Sequence, residues 1–229
     1  MQIGGLQKLS LIDYPQKLAA VLFTQGCNFR CHFCHNPSLV KQELFLQSLT
    51  EEEIFQFLKK RKNQLDGVVI TGGEPTLQKD LIPFIQKIKK LGYSIKLDTS
   101  GVNFSVLKDL LELDLIDYVA MDIKAPLQKY PFIINASIKL ENIEESIKLL
   151  LKSSISIEFR TTLVPSLHTL EDIISMAKMI QGAPLYVLQT FESHTVLNSD
   201  LKDQKAFSKE ELEPYSQKAQ EFVQMCKIR

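Results

Sequence analysis

Three of the four cysteines in this chain of 229 residues lie within one short stretch. Cys27, Cys31 and Cys34 follow a Cys-x3-Cys-x2-Cys spacing, whereas Cys226 lies far along the chain. Iron–sulfur clusters are held by cysteine thiolates, and a complete set for a four-iron cluster is four. Three cysteines in one loop therefore predict a [4Fe–4S] cluster with one iron left open to a small-molecule ligand.

A structural zinc site in a protein without enzymatic activity is the alternative chemistry for this stretch. His32 or His35 could supply the fourth ligand that such a site needs. Structural zinc sites usually draw their ligands from two separated pairs, and the sequence has no second pair. A zinc site would also leave the polar residues at the ends of the other predicted strands without a purpose.

The elements that would position this stretch alternate between short β-rich runs and amphipathic helical stretches. The predicted strands are 18–24, 67–71, 94–99, 117–123, 154–162 and 184–190. The predicted helices are near 50–61, 80–91, 104–112, 141–152, 169–180 and 209–226. Thr50 with Glu53, and Thr169 with Asp172, have the spacing of capping boxes at two of the helix starts.

Six β–α repeats with apolar strands predict an α/β fold with parallel strands and right-handed crossovers. We expect an incomplete (β/α)6 TIM-type barrel, and an open doubly wound sheet is the structural alternative. The chain shows no linker, so we expect a single domain over 1–229. Its core barrel would span about 18–191, and a C-terminal helix would span about 209–226.

Polar residues follow one predicted strand after another, at the carboxyl ends where such folds place their chemistry. After the cysteines come TGGEP (71–75), DTSG (98–101), MDIKAP (121–126), RTTLVP (160–165) and LQTF (188–191). A hydrophobic core does not require polar groups at six strand ends. One site at the mouth of the barrel would use all of them.

The two-residue period of a strand indicates which of these side chains share a face. Asp122 and Lys124 point the same way, and Glu158 and Arg160 lie on the polar face of their strand. If helices cover the outside, that polar face is turned inward. Buried charge is costly unless it is paired, so we expect Glu158 and Arg160 to pair with each other or with a polar ligand.

The overall charge excludes some partners. Lysine plus arginine equals aspartate plus glutamate, at 27 each, so no net charge attracts nucleic acid or an anionic membrane. No apolar run reaches the length of about 20 residues that spans a bilayer. The first residues do not resemble a signal peptide. We therefore expect a cytoplasmic protein whose thiols stay reduced.

The motifs together resemble the radical S-adenosylmethionine (SAM) superfamily. The cysteine spacing with Phe33 before the last cysteine matches its signature, and TGGEP resembles its methionine-binding stretch. CHNP (34–37), DTSG and MDIK resemble the glycyl-radical-enzyme activases in particular. GLQKLSLIDYP (5–15), FTQGCNFRCHFCHNPSLV (23–40) and FRTTLVP (159–165) resemble activating proteins of anaerobic ribonucleoside-triphosphate reductase.

This resemblance implies roles for individual residues. Cys27, Cys31 and Cys34 would bind three irons, and the amine and carboxylate of SAM would chelate the fourth. Gly72, Gly73 and Glu74 would contact the methionine amine, and Asp98 and Thr99 would lie beside the methionine. Lys124 would lie near the methionine carboxylate, and Asp122 and Arg160 would also contact the cofactor. The Phe33 backbone would contact the adenine, and Phe191 could stack on it. In relatives, the positions of Asp98, Thr99 and Asp122 also help to hold a monovalent cation. No catalytic side chain is implied beyond the cluster and the bound cofactor.

Phe191 departs from the family pattern. Some pyruvate formate-lyase activases carry histidine near this position, close to the nucleoside. A phenylalanine ring can stack on adenine, but it cannot donate a ring N–H. The strand-six contacts with adenine are therefore the least specific part of the resemblance.

The implied activity is the reductive cleavage of SAM to methionine and a 5′-deoxyadenosyl radical, which takes a hydrogen atom from a glycine of a much larger enzyme. The expected partners are anaerobic ribonucleotide reductase and a flavodoxin or ferredoxin-type electron donor. An activase of pyruvate formate-lyase or of another glycyl radical enzyme is one alternative. A small-molecule radical SAM enzyme, such as a carboxy-deazaguanine synthase, is the other.

Several further residues have a simpler interpretation. Cys226 continues a helical apolar period and is expected to be a buried or partly buried thiol. His168 and His194 are expected at the surface. The lysine-rich KKRK (59–62) and KIKK (87–90) are expected as solvated helix ends, with docking of an acidic electron donor as the alternative.

Overall fold

The computed structural model describes residues 1–229, which divide into two units. The first unit comprises residues 1–28, 38–99 and 105–119. The second unit comprises residues 29–37, 100–104 and 120–229. The predicted site residues are distributed over both units.

The first unit is built on strands β1 (Ile3–Ser10), β2 (Ala19–Thr24), β3 (Gly67–Gly72) and β4 (Ser94–Thr99). β1 runs antiparallel to β2, whereas β2, β3 and β4 are parallel to one another in chain order. Ala19 to Leu22 are almost completely buried, as are the apolar residues of β3. Burial on both faces explains why these strands are continuous apolar runs rather than alternating ones.

The helices of the first unit cover this sheet. They are α2 (Glu51–Lys60) and α3 (Leu81–Lys90), together with all but the first residue of α1 (Pro37–Val40) and of α4 (Phe104–Glu112). The predicted capping box at the start of α2 is confirmed. Thr50 Oγ1 accepts from Glu53 N, and Glu53 Oε2 accepts from Thr50 N. Both α2 and α3 end in lysines, which favour the negative end of the helix dipole.

The second unit continues the β–α alternation. β5 (Tyr118–Asp122) begins in the first unit and ends in the second. The elements that follow are α5 (Tyr130–Ile134), α6 (Leu140–Leu151), β6 (Ser156–Leu163), α7 (Leu170–Met179), β7 (Tyr186–Thr190), α8 (Lys209–Ala219) and β8 (Cys226–Ile228). β6, β7 and β8 are parallel neighbours. The capping box of Thr169 and Asp172 is confirmed at the start of α7.

All six predicted strands are present, with ends within two residues of the prediction, but the expected C-terminal helix is too long. α8 ends at Ala219, and Cys226 begins β8, which pairs with β7. Tyr186 N donates to Met225 O, and Arg229 N donates to Leu188 O. Backbone groups at the side of β7 thus gain partners that a longer helix could not supply. The prediction that Cys226 is buried is confirmed.

None of the helices is long and apolar enough to cross a lipid bilayer.

Candidate active site

In the first unit, the end of β3 packs directly against the loop that follows β2. Gly73 N donates to Thr24 O and Glu74 N donates to Gly26 O, both at 2.8 Å. A Cβ atom on Gly73 would lie 2.1 Å from Gly26 O. A Cβ atom on Gly72, whose φ is +112°, would lie 2.5 Å from Thr24 N. Only glycine fits at these two positions, so the pair fixes the loop with the first cysteine against β3.

Glu74 presents a fixed carboxylate at this strand end. Its side chain is buried, and Oε1 accepts from Thr76 N, from Thr76 Oγ1 and from Thr99 Oγ1, the last at 2.7 Å. Thr99 is the last residue of β4, so the ends of β3 and β4 are tied together through this carboxylate. The structure therefore brings two of the predicted cofactor-binding residues together. A carboxylate in this position can accept from an ammonium group of a ligand.

Asp98, one residue earlier, forms an ion pair that the sequence analysis did not identify. Lys96 Nζ donates to Asp98 Oδ1, and the same ammonium lies 5.6 Å from the ring centroid of Tyr118. The Lys96 side chain is only 2% exposed. The two-residue period of a strand is the sequence feature that indicates this pair. It places Lys96 and Asp98 on one face of β4, as it places Asp122 and Lys124 on one face after β5.

In the second unit, Asp122 joins two other predicted residues at the end of β5. Lys124 Nζ donates to Asp122 Oδ2 and Arg160 Nε donates to Asp122 Oδ1, both at 2.8 Å. Burial alone would raise the pKa of Asp122, but Arg160 and Lys124 outweigh it and hold that pKa well below its ordinary value. Burial would lower the pKa of Lys124, but the Asp122 carboxylate raises it instead. All three groups are therefore charged at neutral pH.

The row of charges continues along β6. Glu158 is 1% exposed, and its carboxylate lies 3.9 Å from Arg160 Nη1 and 3.7 Å from Arg229 Nη2. The expected pairing of Glu158 with Arg160 is thus confirmed. Arg229 was missed, because it reaches this position only through β8, and Thr190 N donates to its carbonyl oxygen at 3.0 Å. The two guanidinium groups compensate the charge of a buried carboxylate.

His168 supports the segment after β5 and does not lie at the surface, so that prediction is wrong. Its ring is 2% exposed. Nδ1 accepts from Val164 N at 3.1 Å, and Nε2 donates to Lys124 O at 3.0 Å. Burial lowers the pKa of His168, which keeps the ring neutral with its proton on Nε2. His194 is exposed, as predicted.

The cysteines of the second unit lie on a short turn that is closed by Cys34 N donating to Cys31 O at 3.0 Å. None of the four cysteines of the chain is in a disulfide bond. Burial raises the pKa of the Cys31 thiol to about 11, and the nearby Lys124 ammonium opposes this shift. Iron binding requires the thiolate, so binding of a cluster must release this proton.

Both histidines that could complete a zinc site are engaged by aromatic rings. A zinc ion needs ligands that converge on a single point, whereas each cysteine of a four-iron cluster binds a different iron. His35 stacks on Phe191 at 5.6 Å and accepts from Glu192 N. His32 lies 5.7 Å from the Phe132 ring.

The two aromatic residues assigned to adenine are both buried in the second unit. The Phe33 ring lies edge-on to His168 at 5.9 Å, and Lys124 Nζ lies 6.0 Å from its centroid. Phe191 is 3% exposed, and its ring is engaged by His35. Packing therefore occupies both side chains, and contact of the Phe33 backbone and of Phe191 with adenine stays a prediction.

The residues present fit the two cofactors that the motifs imply. Three thiols are available for three irons. The first unit offers the buried carboxylate of Glu74, which suits the amine of SAM, and the second unit offers Lys124 and Arg160, which suit its carboxylate. Gly72 and Gly73 are already required by the packing of the chain itself.

A cavity of about 550 Å³ lies at the opposite end of β3 and β4. Lys17, Lys62, Lys89 and Lys90 line it where α2 and α3 end. It is therefore one strand length, roughly 20 Å, from the glycines and carboxylates described above. Lys89 is paired with Asp117 at 3.0 Å. This cavity is separate from the predicted cofactor site.

Comparison with known proteins identifies the family of this chain. The chain matches the radical SAM superfamily over residues 21–180. It is 35% identical to MJ1227 of Methanocaldococcus jannaschii, whose name assigns it to the glycyl-radical enzyme activating enzymes, over 99% of this chain and 95% of that protein. It is 33% identical over 128 residues to the pyruvate formate-lyase-activating enzyme of Clostridium pasteurianum, which is 54% of this chain and 52% of that enzyme.

Among solved structures, SuiB of Streptococcus suis matches 91% of this chain with a TM-score of 0.69 and 14% sequence identity. The match covers 48% of SuiB, so this chain spans about half the length of that protein. The likeness confirms the predicted fold class, an α/β fold with mostly parallel strands of the partial-barrel radical SAM type.

The superfamily match covers most of the chain, and the match to MJ1227 covers nearly all of it. The chain therefore belongs to the radical SAM superfamily and, within it, to the glycyl-radical enzyme activating enzymes, whose cofactors are a [4Fe–4S] cluster and S-adenosylmethionine.

Proposed function

We propose that this protein generates a glycyl radical on anaerobic ribonucleoside-triphosphate reductase. The observation that carries the choice of target is the likeness of GLQKLSLIDYP and FRTTLVP, two segments outside the generic cofactor motifs, to activating proteins of that reductase. Membership of the activase family supplies the reaction class, which is removal of one hydrogen atom from a glycine of a larger enzyme.

The proposed roles can be stated for each unit separately. Cys27, Cys31 and Cys34 bind the cluster, which supplies the electron for reductive cleavage of SAM. Glu74 in the first unit accepts from the methionine amine. In the second unit, Lys124 and Arg160 donate to the methionine carboxylate. The Glu74 carboxylate is buried and held by three hydrogen bonds, so it can orient the amine of a bound ligand.

Asp122 contributes by holding the two cationic side chains in place. Each of its carboxylate oxygens accepts from one of them, so Lys124 and Arg160 are fixed before the cofactor arrives. Side chains that are already ordered lose less conformational entropy on binding, which favours affinity. This arrangement makes the second unit a preorganised receptor for a carboxylate.

Of these two segments, FRTTLVP lies in the second unit and contributes to its predicted site residues. FRTTLVP spans most of β6, where Arg160 reaches Asp122 and Thr161 Oγ1 donates to Ile123 O at 2.8 Å. The first segment is different, because its apolar residues Leu11 and Ile12 are 69% and 81% exposed. It does not contribute packing for the core at these positions, so its resemblance to reductase activases is independent of cofactor binding.

An activase of pyruvate formate-lyase is the second candidate, and the similarity to the Clostridium pasteurianum enzyme favours it. The two candidates use the same two cofactors, so the protein substrate is what separates them. In either case we propose a cytoplasmic enzyme organised as one domain over 1–229, which receives its electron from a flavodoxin or ferredoxin-type donor.

Electron paramagnetic resonance (EPR) spectroscopy tests the proposal. The reconstituted and reduced protein would be mixed with SAM and each candidate glycyl radical enzyme without oxygen. We expect a glycyl radical doublet with the reductase, and no doublet when its radical-bearing glycine is replaced by alanine. A doublet with pyruvate formate-lyase alone would move the assignment to the second candidate. Turnover of a small metabolite without any protein radical would contradict both.

A further inference from the structure

Each carboxylate that the family resemblance assigns to a monovalent cation already has a cationic side chain as its partner. In the first unit, Lys96 Nζ donates to Asp98 Oδ1. In the second unit, Lys124 and Arg160 donate to the two oxygens of Asp122. Thr99, the third residue assigned to the cation, directs its hydroxyl hydrogen to Glu74.

The local charge does not favour an additional cation. In the first unit the charge of Asp98 is balanced by the Lys96 ammonium, and in the second unit the charge of Asp122 is compensated by Lys124 and Arg160. A potassium or sodium ion binds best where oxygen ligands bring an excess of negative charge, and like charges at contact distance repel strongly in a partly buried setting. An alkali ion would have to displace an ammonium or guanidinium group from these carboxylates.

Lys96 is held in place more firmly than a surface lysine. Its side chain is 2% exposed, whereas Asp98 is 12% exposed. The ammonium also lies 5.6 Å from the ring centroid of Tyr118, within the range of a cation–π contact. A buried ammonium that left Asp98 would lose both partners without gaining water. Displacement by a hydrated alkali ion is therefore unfavourable.

We propose that this enzyme binds and cleaves SAM without a monovalent metal cation, and that the Lys96 ammonium takes the place that the cation holds in relatives. Lys96 is then a positioning residue: it neutralises and orients Asp98 beside the methionine part of the cofactor. The alkali-ion site that the sequence resemblance implied does not fit the residues of this chain.

The test compares cation dependence in two variants and the wild-type protein. Each reconstituted protein would be titrated with SAM in buffer that contains only tetramethylammonium, and again after addition of potassium or sodium. For the wild type we expect the same dissociation constant in every buffer. Lys96→Met keeps an unbranched side chain that is one atom shorter, and it removes the charge. We expect this variant to bind SAM about tenfold more weakly without alkali ion and to recover when potassium is added.

Lys60→Met, at the exposed end of α2, is the matched control and should behave as the wild type.

Occupancy gives a readout that does not depend on activity. Crystals of the wild type and of Lys96→Met would be soaked in rubidium, and anomalous scattering would locate the ion. We expect rubidium beside Asp98 in the variant and not in the wild type. Rubidium at Asp98 in the wild type, or an alkali requirement for its SAM binding, would overturn the proposal. So would a folded Lys96→Met protein that binds SAM normally without any alkali ion. If the variant does not fold, the wild-type titration and soak decide the matter.

Discussion

The cysteines differ in how the fold surrounds them. Cys31 is buried beside Lys124, Cys27 and Cys34 are half-buried, and Cys226 is buried at the start of β8, away from the other three in the chain. The raised pKa of Cys226 has burial as its main cause, as expected for a thiol that packs as a small apolar group. Burial alone therefore does not mark a ligand. Spacing in the sequence and position after a strand end are the signals that predict the three cluster ligands.

Replacing the cysteines one at a time separates the ligands from the packing thiol. We expect Cys27→Ala, Cys31→Ala and Cys34→Ala each to abolish the intact four-iron cluster and the cleavage of SAM, because each removes one of three protein ligands. Cys226→Ala should keep both. Iron and sulfide analysis with the visible absorption spectrum measures the cluster. Loss of iron in Cys226→Ala together with its retention in Cys34→Ala would refute this ligand assignment.

Lys124→Ala should weaken SAM binding and spare the cluster. Loss of one charge-assisted hydrogen bond typically costs about 1.5–3 kcal/mol, which is roughly tenfold or more in the dissociation constant. Binding titrations on the reconstituted protein measure the effect. Lys139→Ala, an exposed lysine before α6, serves as the control and should bind normally. A dissociation constant that does not change in Lys124→Ala would remove this side chain from the site.

The two-residue period of a strand predicts several of the side-chain pairs that the structure shows. Period two placed Asp122 with Lys124 and Glu158 with Arg160, and the structure pairs them in that way. The same rule places Lys96 and Asp98 on one face of β4, but it does not indicate that this lysine is buried, which is rare for lysine. His168 had no sequence signal, since its burial depends on two backbone partners, Val164 and Lys124, that only the folded chain brings together.

At the scale of elements, the end of β3 and the loop after β2 pack so closely that Gly73 has no room for a Cβ atom. Gly73→Ala would place a Cβ atom 2.1 Å from Gly26 O and force the backbone to move. We expect this change to cost about 2–3 kcal/mol of folding free energy and to impair cluster assembly, because the cysteine loop loses its support. Chemical denaturation and iron content measure the two effects.

Gly5→Ala is the matched control for this junction. A Cβ atom there would meet only the Phe23 side chain, at an ordinary contact distance of 3.5 Å. We expect normal stability and normal iron content in this variant. Equal behaviour of the two alanine variants would show that close backbone packing at Gly73 is not what supports the cysteine loop.

The contact of His168 with the segment after β5 predicts a dependence of stability on pH. Burial lowers the pKa of His168 in the folded protein, so the unfolded chain binds the proton more readily. Its contribution is complete above the unfolded pKa of about 6.5 and is lost as the pH falls below it, by at most about 1.4 kcal/mol per pH unit. Urea denaturation of the cluster-free protein from pH 7.5 to 5.5 should show this loss.

Substitutions identify the source of that pH dependence. His168→Gln can still accept from Val164 N and donate to Lys124 O, but it does not titrate, so we expect a flatter profile below pH 6.5. His194→Gln, in an exposed segment, should keep the wild-type slope. A steep profile in His168→Gln that matches the wild type would assign the dependence to other groups.

The sequence predicts a strand where an apolar run lies between turn residues. The six central strands carry apolar runs between turn residues, and the burial of β2 and β3 on both faces shows why. β1 was missed because IGGLQKLS has two glycines and exposed polar residues, and its state depends on pairing with β2. β8 was missed because its three residues continue the apolar period of α8, and pairing with β7 decides the outcome.

For the molecule as a whole, the family and the cofactors follow from the matches described, and the protein substrate rests on two segments of sequence. Activases with different targets use the same two cofactors, so a cofactor site does not by itself select the target. Selection must come from surfaces outside the cofactor site, such as the exposed apolar residues Leu11 and Ile12. The central claim, a radical on the reductase glycine, therefore needs a test on the substrate atom itself.

Transfer of deuterium from that glycine is the most direct measurement. Anaerobic ribonucleotide reductase would be prepared with glycine deuterated at Cα and mixed with the reconstituted, reduced protein and SAM without oxygen. Mass spectrometry of the 5′-deoxyadenosine product should show one deuterium, and replacement of the radical-bearing glycine by alanine should abolish the label. Unlabelled 5′-deoxyadenosine, formed while the reductase stays without a glycyl radical, would contradict the account.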